Sequence, residues 1–108
     1  MAELDDTPAE IEIDVRTDAD GAAVVTVSGE LDLSNVSRLE ETIASTLAES
    51  PALLVFDLSD LRFMDSAGIA VLVRASTQVE TVQIRDPSPG VKRLIEITGL
   101  TGVLPLEP

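Results

Sequence analysis

The sequence predicts an α/β domain, a mixed sheet of four to five strands with parallel core strands and about three to four helices. After a first pair of β-like segments, apolar strand-length segments alternate with segments of helical period, the order that builds parallel strands joined by crossovers. The first pair is separated by Asp18-Ala19-Asp20-Gly21, whose turn chemistry makes it a hairpin and the sheet mixed. A chain of 108 residues suits one core, so a single domain is expected over residues 10–108. Eight acids against the single base Arg16 in residues 1–20 mark residues 1–9 as a flexible acidic tail.

Ile11, Ile13 and Val15 alternate with Glu12 and Asp14 at the period of a half-buried strand. Ala23 to Ser28 is rich in β-branched residues and forms the second strand, ending at Gly29. Val36, Leu39, Ile43 and Leu47 then recur at helical spacing, with Ser34 placed as N-cap and Pro51 closing the segment. Ala52-Leu53-Leu54-Val55-Phe56 is a continuous apolar run, the pattern of a strand covered on both faces near the sheet centre. A second helix opens near Ser66 with Ile69, Leu72, Val73 and Ser76 on one face, and Thr81 to Ile84 forms a further strand. Ser88 before Pro89 caps a third helix, in which Leu94 and Ile95 face inward and which Gly99 closes.

Composition removes whole classes of function. With no cysteine and no histidine, the chain lacks thiolate nucleophiles, disulfides, Cys-ligated zinc and the commonest general base. No Ser/His pair, metal-ligand cluster, phosphate-cradling glycine loop or dinucleotide fingerprint occurs, so an enzyme is not expected, nor any metal or cofactor. A net charge of −13 repels the phosphates of nucleic acid and anionic lipid, which excludes both as partners and leaves a solvated surface or attraction to a basic partner. The apolar runs are only a few residues long, short of the roughly 20 that a membrane span needs. Met1 to Asp6 is acidic where a secretory signal is basic and then apolar, so the expected location is cytoplasmic.

In an open α/β sheet, functional groups gather at the carboxyl ends of parallel strands, beside helix N-termini. Two loops qualify, Ser28 to Ser34 and Asp57 to Gly68, and they should lie side by side. Ser66, followed by Ala67-Gly68, puts a small hydroxyl at a helix start, where the dipole stabilises an added phosphate. The same position suits a plain helix cap, and local sequence leaves both roles open. Asp57, at the end of a buried strand, suggests a phospho-accepting carboxylate of receiver type, but the acidic pair after the first strand and the lysine after the last are missing.

Gly29-Glu30-Leu31-Asp32 followed by Phe63-Met64-Asp65-Ser66-Ala67-Gly68-Ile69 resembles the paired signature of the STAS family, with Pro87 to Leu94 and Thr98-Gly99-Leu100 similar to its C-terminal segment. The resemblance covers about residues 11–106 and is nearest to the bacterial anti-sigma factor antagonists. It implies that Ser66 is the acceptor for an anti-sigma factor that is also a serine kinase, and that Asp32 lies beside it. By the same resemblance, unphosphorylated protein binds that kinase and frees a sigma factor, phosphorylation ends the binding, and a serine phosphatase resets Ser66. Asp32, Asp65, Ala67, Gly68 and Ile69 are the implied partner-binding residues. The alternative within the family is a scaffold or an accessory subunit of a signalling assembly or lipid transporter, which binds without cycling phosphate. One departure is the direct passage through Gln78-Val79-Glu80-Thr81 to the next strand, where family members usually carry a longer glycine-rich link; an early end to the second helix is expected from it.

Overall fold

A computed structural model describes residues 10–107, and the proposed acidic tail lies outside the described residues. The order is β1 (Ile11–Thr17), β2 (Ala23–Leu31), α1 (Val36–Leu47), β3 (Leu53–Asp57), β4 (Leu61–Met64), α2 (Ser66–Ser76), β5 (Thr81–Arg85) and α3 (Pro89–Ile97). The sheet runs β1-β2-β3-β5, with β4 also paired to β2. β1 is antiparallel to β2, Ile11 opposite Gly29 and Thr17 opposite Ala23, whereas β2–β3, β3–β5 and β2–β4 are parallel. The mixed sheet with a parallel centre is thus the one read from the sequence, with five strands and three helices among the described residues.

Alternation along the strands divides the side chains between two faces. Val25, Val27, Leu54, Phe56, Val82 and Ile84 join Leu39 and Ile43 of α1, Ile69 and Leu72 of α2, and Val91 and Ile95 of α3 in the main core. Phe56 is wholly buried, and removing a side chain of that size from water contributes roughly 2–3 kcal/mol. The opposite face carries a smaller cluster, Ala22, Val24 and Val55 with Leu53 against it. On that face Arg85, from the end of β5, donates from Nε and Nη2 to Glu107 at 2.8 Å each and from Nη2 to Asp18 at 3.4 Å. Around Glu107 the backbone pairs along β5: the Ile84 N–H donates to Pro105 O and the Glu107 N–H to Ile84 O, both at 2.8 Å.

Several local expectations are corrected. The segment read as one loop from Asp57 to Gly68 contains β4. The second strand runs on through Gly29 to Leu31 because, after β3 leaves it at Thr26, β4 pairs with β2 from Gly29 onward, with a register shift between Gly29 and Glu30. Gly29 has φ 98°, and any Cβ there would overlap Glu10 O, so this crossing point requires glycine. Asn35, not Ser34, occupies the N-cap position of α1. Its buried side chain accepts from the Asp32 N–H at 3.1 Å and donates to Glu30 O at 2.8 Å, stapling the turn before the helix. Ser88 stands at the N-cap of α3 but makes no side-chain cap bond, and its hydroxyl donates to Leu61 O at 2.7 Å, tying α3 to β4. The inward face of α2 is Gly68, Ile69, Val71, Leu72 and Ala75, with Val73 and Ser76 only half-buried. That helix ends at Ser76, and the link before β5 is short, as its sequence indicates.

Candidate functional site

The carboxyl ends of β2 and β4 are adjacent, Leu31 opposite Met64, so the chain segments that follow them emerge together. The Asp65 N–H donates to Leu31 O at 3.2 Å, which starts α2 beside the turn of residues 32–35. The two loops singled out in the sequence do lie side by side.

Asp65 organises this end of the molecule. It is the N-cap of α2, its Oδ1 accepting from the Ala67 N–H at 2.9 Å and the Gly68 N–H at 3.2 Å, two of the donors a helix start leaves unpaired. Its other oxygen, Oδ2, accepts from the Leu33 N–H at 3.3 Å, 32 residues away in sequence. One carboxylate therefore fastens the helix end to the neighbouring turn.

The cap role weighed for Ser66 belongs to Asp65, and Ser66 is the first residue of the helix. It is exposed, with small Ala67 half-buried beside it. Gly68 and Ile69 are buried beneath. A Cβ on Gly68 would come within 2.6 Å of Met64 Cγ and 2.9 Å of Leu31 Cδ2, so the bare glycine lets α2 settle onto the strand ends. Asp32 is half-buried, and its Oδ1 accepts from the Ser34 N–H at 2.9 Å and the Ser34 hydroxyl at 2.6 Å. Of the residues proposed for partner contact, Asp32, Asp65 and Ala67 thus border the surface around Ser66, while Gly68 and Ile69 hold it up from below.

Two residues of this region were not marked by the sequence reading, Leu33 and Asn35. Leu33 is 77% exposed in the turn fastened by Asp65, and Phe63 on β4 is 50% exposed. The signal for Leu33 was present: an apolar residue between Asp32 and Ser34, outside the inward period of α1. Arg62 reaches Glu30 at 3.7 Å in an exposed pair. Among the described residues no cluster of three or more acids could hold a metal ion, and no helix is long and apolar enough to cross a membrane.

The arrangement offers an accessible hydroxyl at a positive helix end, next to the Asp65 carboxylate that ties this end to the exposed Leu33 turn. A family model described as the STAS domain matches residues 11–108. The anti-sigma-B factor antagonist of Bacillus subtilis is 31% identical over 98 residues, covering 87% of this chain and 88% of that protein. The anti-sigma-F factor antagonist RsfB of Mycobacterium tuberculosis is 39% identical over 62 residues, a match to 57% of this chain that spans about half, 51%, of that relative's length. A crystal structure of an anti-sigma factor antagonist from Mycobacterium paratuberculosis superposes with a TM-score of 0.84 at 35% identity, covering 92% of this chain and 86% of that one. With the family model spanning the whole described fold and a relative of 31% identity matched over most of both chains, this protein belongs to the STAS domain family.

Proposed function

We propose that the chain is an anti-sigma factor antagonist switched by phosphorylation at Ser66. The observation that carries this reading is the position of Ser66: exposed, first in α2, and free of the capping duty that Asp65 performs. The names of the relatives support the class of partner, an anti-sigma factor. In the unphosphorylated state the surface formed by Asp32, Leu33, Phe63, Asp65, Ser66 and Ala67 binds an anti-sigma factor that is a serine kinase, and the sigma factor is freed. The reaction belongs to the partner. Ser66 Oγ attacks the γ-phosphorus of ATP held by the kinase, its proton passes to a base of the kinase, and ADP leaves.

The product carries nearly two negative charges beside Asp65, in a molecule already at −13, and its bulk and charge eject a closely packed or acidic partner surface from around Ser66. A serine phosphatase then uses water to return the hydroxyl and release inorganic phosphate. The cycle is placed in the cytoplasm, where ATP and sigma factors are found.

Intact-mass spectrometry of wild type and Ser66→Ala, incubated with ATP and candidate anti-sigma kinases from the same genome, tests this. One added phosphate on wild type alone is expected, with Ser66→Ala still bound to the kinase and Ser66→Asp bound weakly. Absence of phosphate with every candidate, or loss of binding by a folded Ser66→Ala, would overturn the reading in favour of a non-cycling scaffold.

A further inference from the structure

We infer that Asp65 is a positioning residue through which phosphate on Ser66 releases the Leu33 turn, an inference that rests on the proposed phosphorylation of Ser66. The same carboxylate holds two segments of opposite burial. Its Oδ1 is held by two amides of a helix end packed on the core, at Ala67 and Gly68, and its Oδ2 by the single amide of Leu33 in an exposed turn. All three donors are neutral N–H groups, and no cation contacts Asp65 among the described residues.

A phosphate on the first residue of α2 is a second and stronger anionic acceptor at the same helix end. Ala67 and Gly68 have one N–H each, so the two acceptors compete for them while repelling one another. The phosphate is covalently fixed at the helix start. The Asp65 carboxylate, free to rotate about its own side-chain bonds, is the group that yields. When Oδ1 leaves the helix end, Oδ2 leaves Leu33 with it.

Leu33 is the most exposed large apolar side chain among the described residues, and the bond to Asp65 fixes its turn against α2. Its release removes a positioned apolar anchor from the contact surface at the moment the surface gains charge. The partner suited to this arrangement presents an apolar pocket for Leu33, next to the kinase cleft that takes Ser66.

The test needs no kinase. Phosphoserine is placed at position 66 during translation of the full chain, and amide hydrogen exchange is followed by NMR in that protein, in wild type and in Asp65→Asn. The asparagine keeps one oxygen for the helix end but has no second acceptor for Leu33, so it separates capping from coupling. Exchange at Leu33 is expected to rise by about tenfold in both altered proteins, the equivalent of one charge-assisted hydrogen bond, with Val25 and Phe56 amides unchanged. A Leu33 amide as protected as in wild type, in either protein, overturns the inference. Because the phosphate enters during translation and not through a kinase, a failure of every kinase to modify Ser66 would remove the proposed function while leaving this result to be judged alone.

Discussion

Two seams join distant parts of the chain, one at Asp65 and one at Arg85, and they are built from opposite materials. At Asp65 a carboxylate is satisfied by three backbone amides and keeps its negative charge unbalanced. At Arg85 the guanidinium meets Glu107 in a two-bond fork and Asp18 beyond it, and Arg16 lies 3.9 Å from Asp18, so two cations balance two carboxylates where the β1–β2 turn meets residues 105–107. The hydrogen bonds with Glu107 first, and the attraction of Glu107 and Asp18 after them, hold the Arg85 guanidinium well above its ordinary range, and the same bonds hold the Glu107 carboxyl below the usual one. The lesson is that the neutralised seam is suited to staying shut, while the anionic seam can be shifted by one more negative group.

The largest loss is expected where β4 takes over from β3 beside β2, at Gly29. Gly29→Ala forces a left-handed φ on alanine and drives its Cβ into Glu10 O, so a loss of about 3 kcal/mol is expected in urea unfolding, a sum of backbone and overpacking costs. Asp65→Ala comes next. It removes the cap of α2 and the tie to Leu33, costing about 2 kcal/mol, and because its partners are uncharged amides the defect should change little with salt.

Arg85→Met should lower the melting temperature less, and its gap from wild type should narrow as salt rises to about 1 M, because these ions are part-exposed. The pH dependence sharpens the contrast. A carboxyl held low in the folded state contributes fully above its unfolded value of about 4.3, and that contribution is lost as pH falls through the lower folded value. The gap between wild type and Arg85→Met should therefore be steady above about pH 5 and shrink below pH ~4 in thermal melts. Ser66→Ala should be the smallest effect of all, within about 0.5 kcal/mol, since an exposed hydroxyl with no bond to the described residues leaves nothing behind when removed. A large destabilisation there would mean that Ser66 is structural after all.

Much of this architecture was legible in the sequence because periodic burial writes it there. β1, β2, β3 and β5 alternate or run apolar, and the helices repeat their inward residues. β4 was hidden because Leu61 and Met64, its buried residues, are three apart with Arg62 and Phe63 exposed between them, which breaks the two-residue period. Its place depends on β3 leaving β2 near Asp57, a tertiary event without a local signature. The acceptor serine and the adjacency of its two loops could be read from motif and strand polarity. Which oxygen of Asp65 serves which amide could not, since Leu33 lies 32 positions away, and the Arg85 seam spans 67 positions to Asp18 for the same reason.

Among the described residues β1 is the outer strand on its side of the sheet, and it exposes Glu12, Asp14 and Arg16. The Ile11 carbonyl is taken up by Arg38 Nη1 of α1 at 3.3 Å. A second molecule approaching to extend the sheet along this rim would bring a further strand of acids against Glu12 and Asp14, in a protein whose isoelectric point is near 4.1. At neutral pH, concentrated solutions should therefore resist fibril growth from this rim, and acidification toward the isoelectric point should be what removes the protection.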